Sequence, residues 1–140
     1  MTAIARPRPA MGLYEKPFWD AVQARELRLQ KCRPCGHVWY PPGPVCPQCL
    51  SEEWRFERMS GHARVVAWTV FHRQYFPEIP VPYLVASVML DEGPLMIGNI
   101  IGLDAAAMRI DLPLKVAFEQ VPGKEPGKDG EWTIVQWAPD

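Results

Sequence analysis

Four cysteines, the only ones in the chain, form two Cys-x-x-Cys pairs near its start. Cys32 and Cys35 make the first pair, Cys46 and Cys49 make the second, and ten residues separate the pairs. Each pattern closes a tight turn that directs two sulfur atoms toward one point, so two such turns complete a tetrahedron of thiolates around a metal ion. The spacing predicts a site for zinc, or for iron in the same four-sulfur geometry. Because the protein supplies all four ligands, we expect the metal to be structural.

The residues beside the cysteines fit this interpretation. Gly36 directly follows the first pair and accepts the left-handed backbone conformation that such a turn often needs. Pro34 and Pro47 stiffen the two turns. Lys31 and Arg33 would offset part of the negative charge of four thiolates around one divalent ion.

A redox or disulfide role for the cysteines is less consistent with the sequence. A redox dithiol usually lies in a thioredoxin-like βαβ setting, and no such pattern surrounds either pair. Residues 1–12 carry two arginines and two prolines where a signal peptide has its apolar core, and no apolar run approaches the roughly 18 residues that span a bilayer. We therefore expect a cytoplasmic protein without a membrane segment, where paired cysteines more often bind metal. His37 is expected near the ligands or at the surface, because a fifth ligand is not needed.

The elements that position the cysteines follow from composition and periodicity. Hydrophobic residues make up 48% of the chain, which indicates a globular protein, and sixteen prolines favour short strands over long helices. A narrow apolar stripe predicts a helix over residues 17–25, and an alternating stretch before Cys32 predicts a short strand. Further strands are predicted over residues 61–76, 81–93, 95–102, 112–121 and 131–139, with one or two helical turns at 103–108 and a loop at 122–130.

Five strands with a short helix between the third and fourth is the order of an OB-fold, although other small barrels or a sandwich share this count. We predict a mainly β protein with three parts. These are an N-terminal tail and helix (1–30), a small four-cysteine zinc ribbon (31–55) and a C-terminal five-stranded OB-fold barrel (56–140).

Charge is distributed unevenly along the chain. Up to residue 33 there are seven basic and three acidic residues, and the remainder has eight basic and thirteen acidic residues. The basic start is either a solvated helix face with an untidy tail or a local anion site, for instance for phosphates. A protein that binds nucleic acid over its whole surface would be more basic than this.

Catalytic groups are scarce, whereas candidate contact residues are not. His62 and His72 pair with no nucleophile in a recognisable motif, and adjacent Asp91 and Glu92 are more typical of a turn than of acid–base chemistry. Phe18 and Trp19 are consecutive on the predicted helix, so one of them is expected to face the ribbon, a ligand or a partner. An aromatic stretch that either stacks a ligand or a partner, or folds over its own core, holds six further candidates: Phe71, His72, Arg73, Tyr75, Phe76 and Tyr83.

Three stretches together resemble a known family: "KPFWDAVQARELRLQKCRPCG", "YPPGPVCPQC" and "PYLVASVMLDEGPLMIGNI". The family joins a rubredoxin-like zinc ribbon to an OB-fold and was long catalogued as domain of unknown function thirty-five. The resemblance covers about residues 14–121. The chain departs from the family pattern at Gly43, where the family tends to have arginine, at Ala63, where a second glycine is common, and at residues 111–113, where a glycine is usual.

The resemblance implies a non-catalytic accessory protein of acyl-CoA metabolism. Its partner would be a thiolase-like enzyme, such as a thiolase, an acyl-CoA synthase, an acyltransferase or an aldolase, and the OB-fold half would help to hold the acyl-CoA. A module that binds single-stranded nucleic acid is the main alternative, because ribbons and OB-folds both serve that role. A third alternative is a free-standing enzyme or an iron electron carrier. The acyl group, the partner, the stoichiometry and any homo-oligomer stay open.

Overall fold

The computed structural model describes residues 6–123 and 130–140 of the chain. Strands dominate this part of the protein, and one α-helix precedes them, so the predicted mainly β class is confirmed. In chain order the elements are α1 (Glu15–Gln23), β1 (Arg28–Cys32), β2 (Val38–Trp39), β3 (Trp54–Arg58), β4 (His62–Phe71), β5 (Tyr83–Leu90), β6 (Leu95–Gly98), β7 (Pro113–Val121) and β8 (Trp132–Pro139).

Helix α1 begins and ends two residues earlier than predicted. It ends because Arg25 adopts a left-handed conformation, with φ 60°, and the N–H of Glu26 then donates to the carbonyl oxygen of Ala21 at 2.9 Å. This is the hydrogen-bond pattern of a Schellman motif, which usually has glycine at the left-handed position, so the sequence did not reveal the stop. Among the described residues, no helix has both the length and the apolar character needed to cross a membrane.

The ribbon is built on a three-stranded antiparallel sheet in the order β2-β1-β3. Of these three strands the sequence predicted only β1, which begins at Arg28, two residues after the start of the predicted stretch at residue 26. Strand β2 has two residues and β3 reads Trp-Arg-Phe-Glu-Arg, so neither gives a clear apolar pattern. Cys32 is the last residue of β1, the central strand, and lies opposite Trp54 of β3, so the metal site is attached to the end of this strand.

The C-terminal half is a curled five-stranded antiparallel sheet in the order β6-β5-β4-β7-β8. A parallel bridge between Ile100 and Trp137 joins the chain after β6 to β8 and brings the two edges together. This order is the one expected for the predicted OB-fold. The predicted helical turns shrink to a 3-10 turn at Ala105–Ala107, and β4 ends at Phe71, five residues before the predicted end. Most of the predicted 122–130 loop lies outside the described residues.

The helix, the ribbon sheet and the barrel share one core. Phe18 and Val22 of α1 pack in the same cluster as Leu29 of β1 and Trp137 of β8. The side chain of Gln23 also pairs with both backbone groups of Thr133, at 3.0 and 2.9 Å. Helix α1 therefore covers β8, a strand at the end of the sheet order, and its amide satisfies backbone groups that an edge would leave open. The division into three parts at residues 30 and 55 stays a prediction.

Candidate metal centre and ligand cleft

The four cysteine sulfur atoms lie within 4.8 Å of one another, although 17 positions separate Cys32 from Cys49 in the chain. The Sγ atoms of Cys32 and Cys49 are 3.4 Å apart, and those of Cys35 and Cys46 are 3.7 Å apart. A tetrahedral zinc ion with Zn–S bonds of about 2.3 Å places its sulfur atoms about 3.8 Å apart. The donor set and its dimensions therefore fit a single tetrahedral metal ion.

Both cysteine turns use the same backbone hydrogen bonds. In the first, the N–H of Cys32 donates to the carbonyl oxygen of His37 at 2.8 Å, and Gly36, with φ 75°, donates back to Cys32 at 3.0 Å. In the second, Cys46 donates to Ser51 at 2.9 Å, and Leu50 donates back to Cys46 at 2.8 Å. Leu50 has φ 63° and thus occupies the left-handed position that Gly36 fills in the first turn. The sequence predicted the role of Gly36 but gave no signal for Leu50.

The pKa values of the two buried thiols differ widely. Burial raises the pKa of Cys32 to about 12. Burial also raises the pKa of Cys46, but hydrogen bonds from the backbone of Cys49 and Gln48 outweigh it and lower the value to about 7. A metal ion at the centre stabilises the thiolate form of all four ligands, because its positive charge compensates for the desolvation.

Several contacts around the centre hold it against the ribbon sheet. The buried side chain of Gln30 donates to the carbonyl oxygen of Gly43 and accepts from its N–H, both at 2.8 Å, which fixes the approach to the second cysteine pair. His37 stacks on Trp39 with ring centroids 6.3 Å apart. Lys31 pairs with Glu57 at 3.4 Å rather than with a thiolate. The site is therefore braced mainly by aromatic packing and by one buried amide.

A cleft of about 490 Å³ lies on the other side of α1, between the helix and the barrel. Three predicted contact residues line it, Trp19, Phe76 and Tyr83. Trp19 contacts Trp132 of β8 with ring centroids 5.5 Å apart, and Ile97 of β6 also lines the cleft. The lining therefore combines aromatic and aliphatic side chains, as pockets for small organic ligands commonly do.

The other predicted contact residues lie elsewhere. Phe18 is 2% exposed and packs in the core, where its ring makes an edge contact with that of Trp19, with centroids 5.2 Å apart. Phe71 stacks on Tyr83 at 5.2 Å, and the guanidinium of Arg73 lies 5.2 Å from the ring of Tyr75, so much of the aromatic loop packs against itself. Of the eight predicted contact residues, five do not line the cleft. Besides Phe18 and Phe71 these are His72, Arg73 and Tyr75, which are all exposed.

Sequence reasoning missed Trp132, Ile97 and the arginines Arg6 and Arg8 as individual cleft residues. Trp132 meets Trp19 only through the docking of α1 on β8, and no spacing in the sequence encodes that contact. The excess of basic residues at the chain start was a signal for an anion site, but it did not single out Arg6 and Arg8.

A second apolar feature adjoins the cleft on the outer side of the barrel sheet. We define the apolar face as Ala67, Val85, Leu95 and Ile97. Across strands, Ala67 is level with Ser87 and Ser87 with Ile97, so these side chains share one side of the sheet. Ile97 is 75% exposed and lines both the cleft and a shallow groove of about 260 Å³ on this face. The cleft therefore opens onto an exposed apolar surface.

The chain matches two protein-family models. One is described as the ChsH2 rubredoxin-like zinc ribbon domain and matches residues 19–55. The other is described as the ChsH2 C-terminal OB-fold domain and matches residues 56–119. Together they cover most of the chain.

Three related proteins show the range of this similarity. The chain is 32% identical over 136 residues to the 3-oxo-4,17-pregnadiene-20-carboxyl-CoA hydratase alpha subunit of Mycobacterium tuberculosis, covering 97% of this chain but 41% of that protein. It is 32% identical to a DUF35 domain-containing scaffold protein of Methanothermobacter thermautotrophicus, covering 80% of this chain and 85% of that protein. A solved structure named Ltp2-ChsH2(DUF35) aldolase superposes with a TM-score of 0.82 at 29% identity, covering 94% of this chain and 98% of that one.

Proposed function

Because this chain belongs to the DUF35 family, which joins a rubredoxin-like zinc ribbon to an OB-fold, we propose that it is a non-catalytic accessory subunit of a thiolase-like enzyme. In this role it binds the partner and contributes to holding the partner's acyl-CoA. The four cysteines bind zinc, which supports the fold and takes no part in bond making.

The observation that carries this proposal is the opening of the cleft onto the apolar face at Ile97. Exposed apolar surface that adjoins a pocket is typical of protein interaction sites, and a ligand shared between two proteins must lie where their surfaces meet. A partner that covers the apolar face would therefore complete the open side of the cleft. The reactive end of an acyl-CoA held there would then point into the partner.

Similarity supports both halves of the proposal. One relative is named a DUF35 scaffold protein, another a CoA-ester hydratase alpha subunit, and a third Ltp2-ChsH2(DUF35) aldolase. A hydratase was not among the partners expected from the sequence. Because the chain spans 41% of that hydratase subunit, its activity cannot be transferred as a whole, but hydratases belong among the candidate partners to test.

The test is co-elution of the purified, zinc-loaded chain with thiolase-like enzymes and hydratase subunits from its own source. We expect one of them to form a complex on size-exclusion chromatography. Ile97→Lys should weaken that complex at least about tenfold, because the charge would be desolvated in an apolar interface. Leu13→Lys is the matched control, since Leu13 is 80% exposed and lies outside the apolar face. Failure of every candidate to co-elute would contradict the proposal.

A further inference from the structure

Residues 6–9, with the sequence Arg-Pro-Arg-Pro, form one wall of the ligand cleft, and we call them the N-terminal strap. The backbone N–H of Arg6 donates to the carbonyl oxygen of Pro122 at 3.4 Å. The Nη2 atom of Arg8 donates to the carbonyl oxygen of Gly130 at 3.0 Å. The strap is thus attached near both ends of the connection between β7 and β8, and it holds two arginines at the cleft.

Neither Arg6 nor Arg8 forms an ion pair with a carboxylate in the described part of the chain. Two carboxylates, Asp20 and Glu131, line a smaller pocket beside Arg8, but Asp20 pairs with Lys16 at 2.6 Å and Glu131 accepts a hydrogen bond from Gln120 at 2.8 Å. The Nε of Arg6 is buried and has no hydrogen-bond partner among residues 6–123 and 130–140. A guanidinium offers five donors, so both side chains keep donors for an anionic ligand.

Aromatic side chains adjoin these cations. The guanidinium carbon of Arg8 lies 6.0 Å from the ring centroid of Trp132, whose ring in turn contacts Trp19. The indole Nε1 of Trp132 is buried without a hydrogen-bond acceptor among the described residues, whereas buried indole N–H groups usually have one. The rest of the lining is mixed and includes the apolar Ile97 and Ile134 and the polar Asn99 and Gln136. The cleft therefore brings cations, aromatic rings and apolar side chains together.

We propose that Arg6 and Arg8 bind the phosphate groups of acyl-CoA and so fix the nucleotide end of the ligand at the N-terminal strap. The pantetheine arm then runs through the cleft, and the thioester emerges at Ile97. This inference rests on the proposed function and adds to it the residues that hold the nucleotide. Paired guanidinium groups suit phosphates, because they donate several charge-assisted hydrogen bonds in a fixed planar geometry.

The test compares three probes in equilibrium binding to the zinc-loaded full chain: butyryl-CoA, its dephospho form without the 3′-phosphate, and S-butyryl-pantetheine, which has no nucleotide. The wild-type chain should bind butyryl-CoA most tightly. The variant R6Q/R8Q should lose about tenfold in affinity for butyryl-CoA and little for S-butyryl-pantetheine, because only the former has phosphates to lose. Its affinity for butyryl-CoA should also depend less steeply on salt.

The variant R109Q/K115Q is the matched control. It removes the same charge from two exposed residues outside the cleft and should leave all three affinities unchanged. An equal loss for all probes would mean that the strap shapes the cleft rather than binds phosphate, and would overturn the inference. So would an unchanged R6Q/R8Q variant, or a wild-type chain that does not distinguish the probes. The proposed function fails separately, when no partner enzyme co-elutes with the wild-type chain.

Discussion

Two consecutive aromatic residues of α1 have different environments, and each environment assigns a different role. Phe18 is buried in the common core and lies 5.4 Å from the ring of Tyr40, measured between centroids. Trp19 is partly exposed, contacts Trp132 and lines the cleft. Adjacent residues of a helix point about 100° apart, so the sequence predicted that they separate. It did not predict which of them the core would take, because that depends on how α1 docks on the barrel.

Phe18→Ala and Trp19→Ala should separate stability from ligand binding. Phe18→Ala removes a buried ring and should lower the free energy of unfolding by about 3–5 kcal/mol. Trp19→Ala should cost about 1 kcal/mol in stability but weaken butyryl-CoA binding by up to about tenfold, because it removes an aromatic wall of the cleft. Urea unfolding and equilibrium binding measure the two effects. Loss of affinity in a folded Phe18→Ala variant, with Trp19→Ala unaffected, would contradict the assignment.

Cys46 is the most informative ligand to change, since it is fully buried and its sulfur lies among the other three. Cys46→Ser should abolish zinc binding and unfold the ribbon, because structural zinc contributes about 10–16 kcal/mol in ribbon-sized peptides. Gln48→Ser is the control, because Gln48 is exposed and lies between the second pair of ligands; this variant should keep both zinc binding and the folded ribbon. Metal analysis and amide hydrogen exchange of β1–β3 report the outcome. Full protection of these strands in metal-free Cys46→Ser would refute a structural role for the ion.

At the scale of elements, the two cysteine turns share a backbone geometry but not a sequence. The first was predicted in full, because Gly36 signals the left-handed position. The second has Leu50 there, with φ 63°, and gave no such signal. Arg25 at the end of α1 is a similar case, as is the bulge at Val66 in β4, which interrupts the alternation of the strand. In each, backbone hydrogen bonds hold a conformation that the residue type does not favour, so the residue type gave no signal for it.

The shared geometry of the turns predicts opposite effects of exchanging their residues. Leu50→Gly should raise the free energy of unfolding by about 0.5 kcal/mol, because the left-handed penalty of about 1–2 kcal/mol outweighs the entropy cost of glycine. Gly36→Leu should lower it by about 1 kcal/mol or more. Both positions are exposed, so burial changes little. Thermal unfolding of the zinc-loaded variants measures the difference, and a destabilised Leu50→Gly would argue against strain at Leu50.

At the scale of the whole molecule, the fold was accessible from sequence and the cleft was not. The cysteine spacing predicts the ribbon and the strand order predicts the barrel, because each of these two parts is built mainly from segments that are close in the chain. The cleft needs Trp19, Trp132 and the strap to meet across more than a hundred positions of the chain. No spacing or pattern in the sequence predicts these contacts, because they form only when α1 packs on β8.

The apolar face also bears on the nucleic-acid alternative. OB-folds that hold single strands combine basic grooves with exposed aromatic rings on which bases stack. Here the outer side of β4–β6 has the aliphatic residues Ala67, Val85, Leu95 and Ile97, and its two rings, Phe71 and Tyr83, are stacked on each other at 5.2 Å. We therefore expect no salt-dependent retention of the zinc-loaded chain on single-stranded DNA or RNA. Retention that falls steeply with salt would revive that alternative.

The central claim is that this chain holds an acyl-CoA for a partner that performs the chemistry. Its most direct test is steady-state turnover of the partner's acyl-CoA substrate by the zinc-loaded chain alone, by the partner alone and by both together. The account predicts no turnover by the chain alone and a higher kcat/KM for the pair than for the partner alone. Turnover by the isolated chain, or a co-eluting partner whose kcat/KM is the same with and without it, would contradict the account.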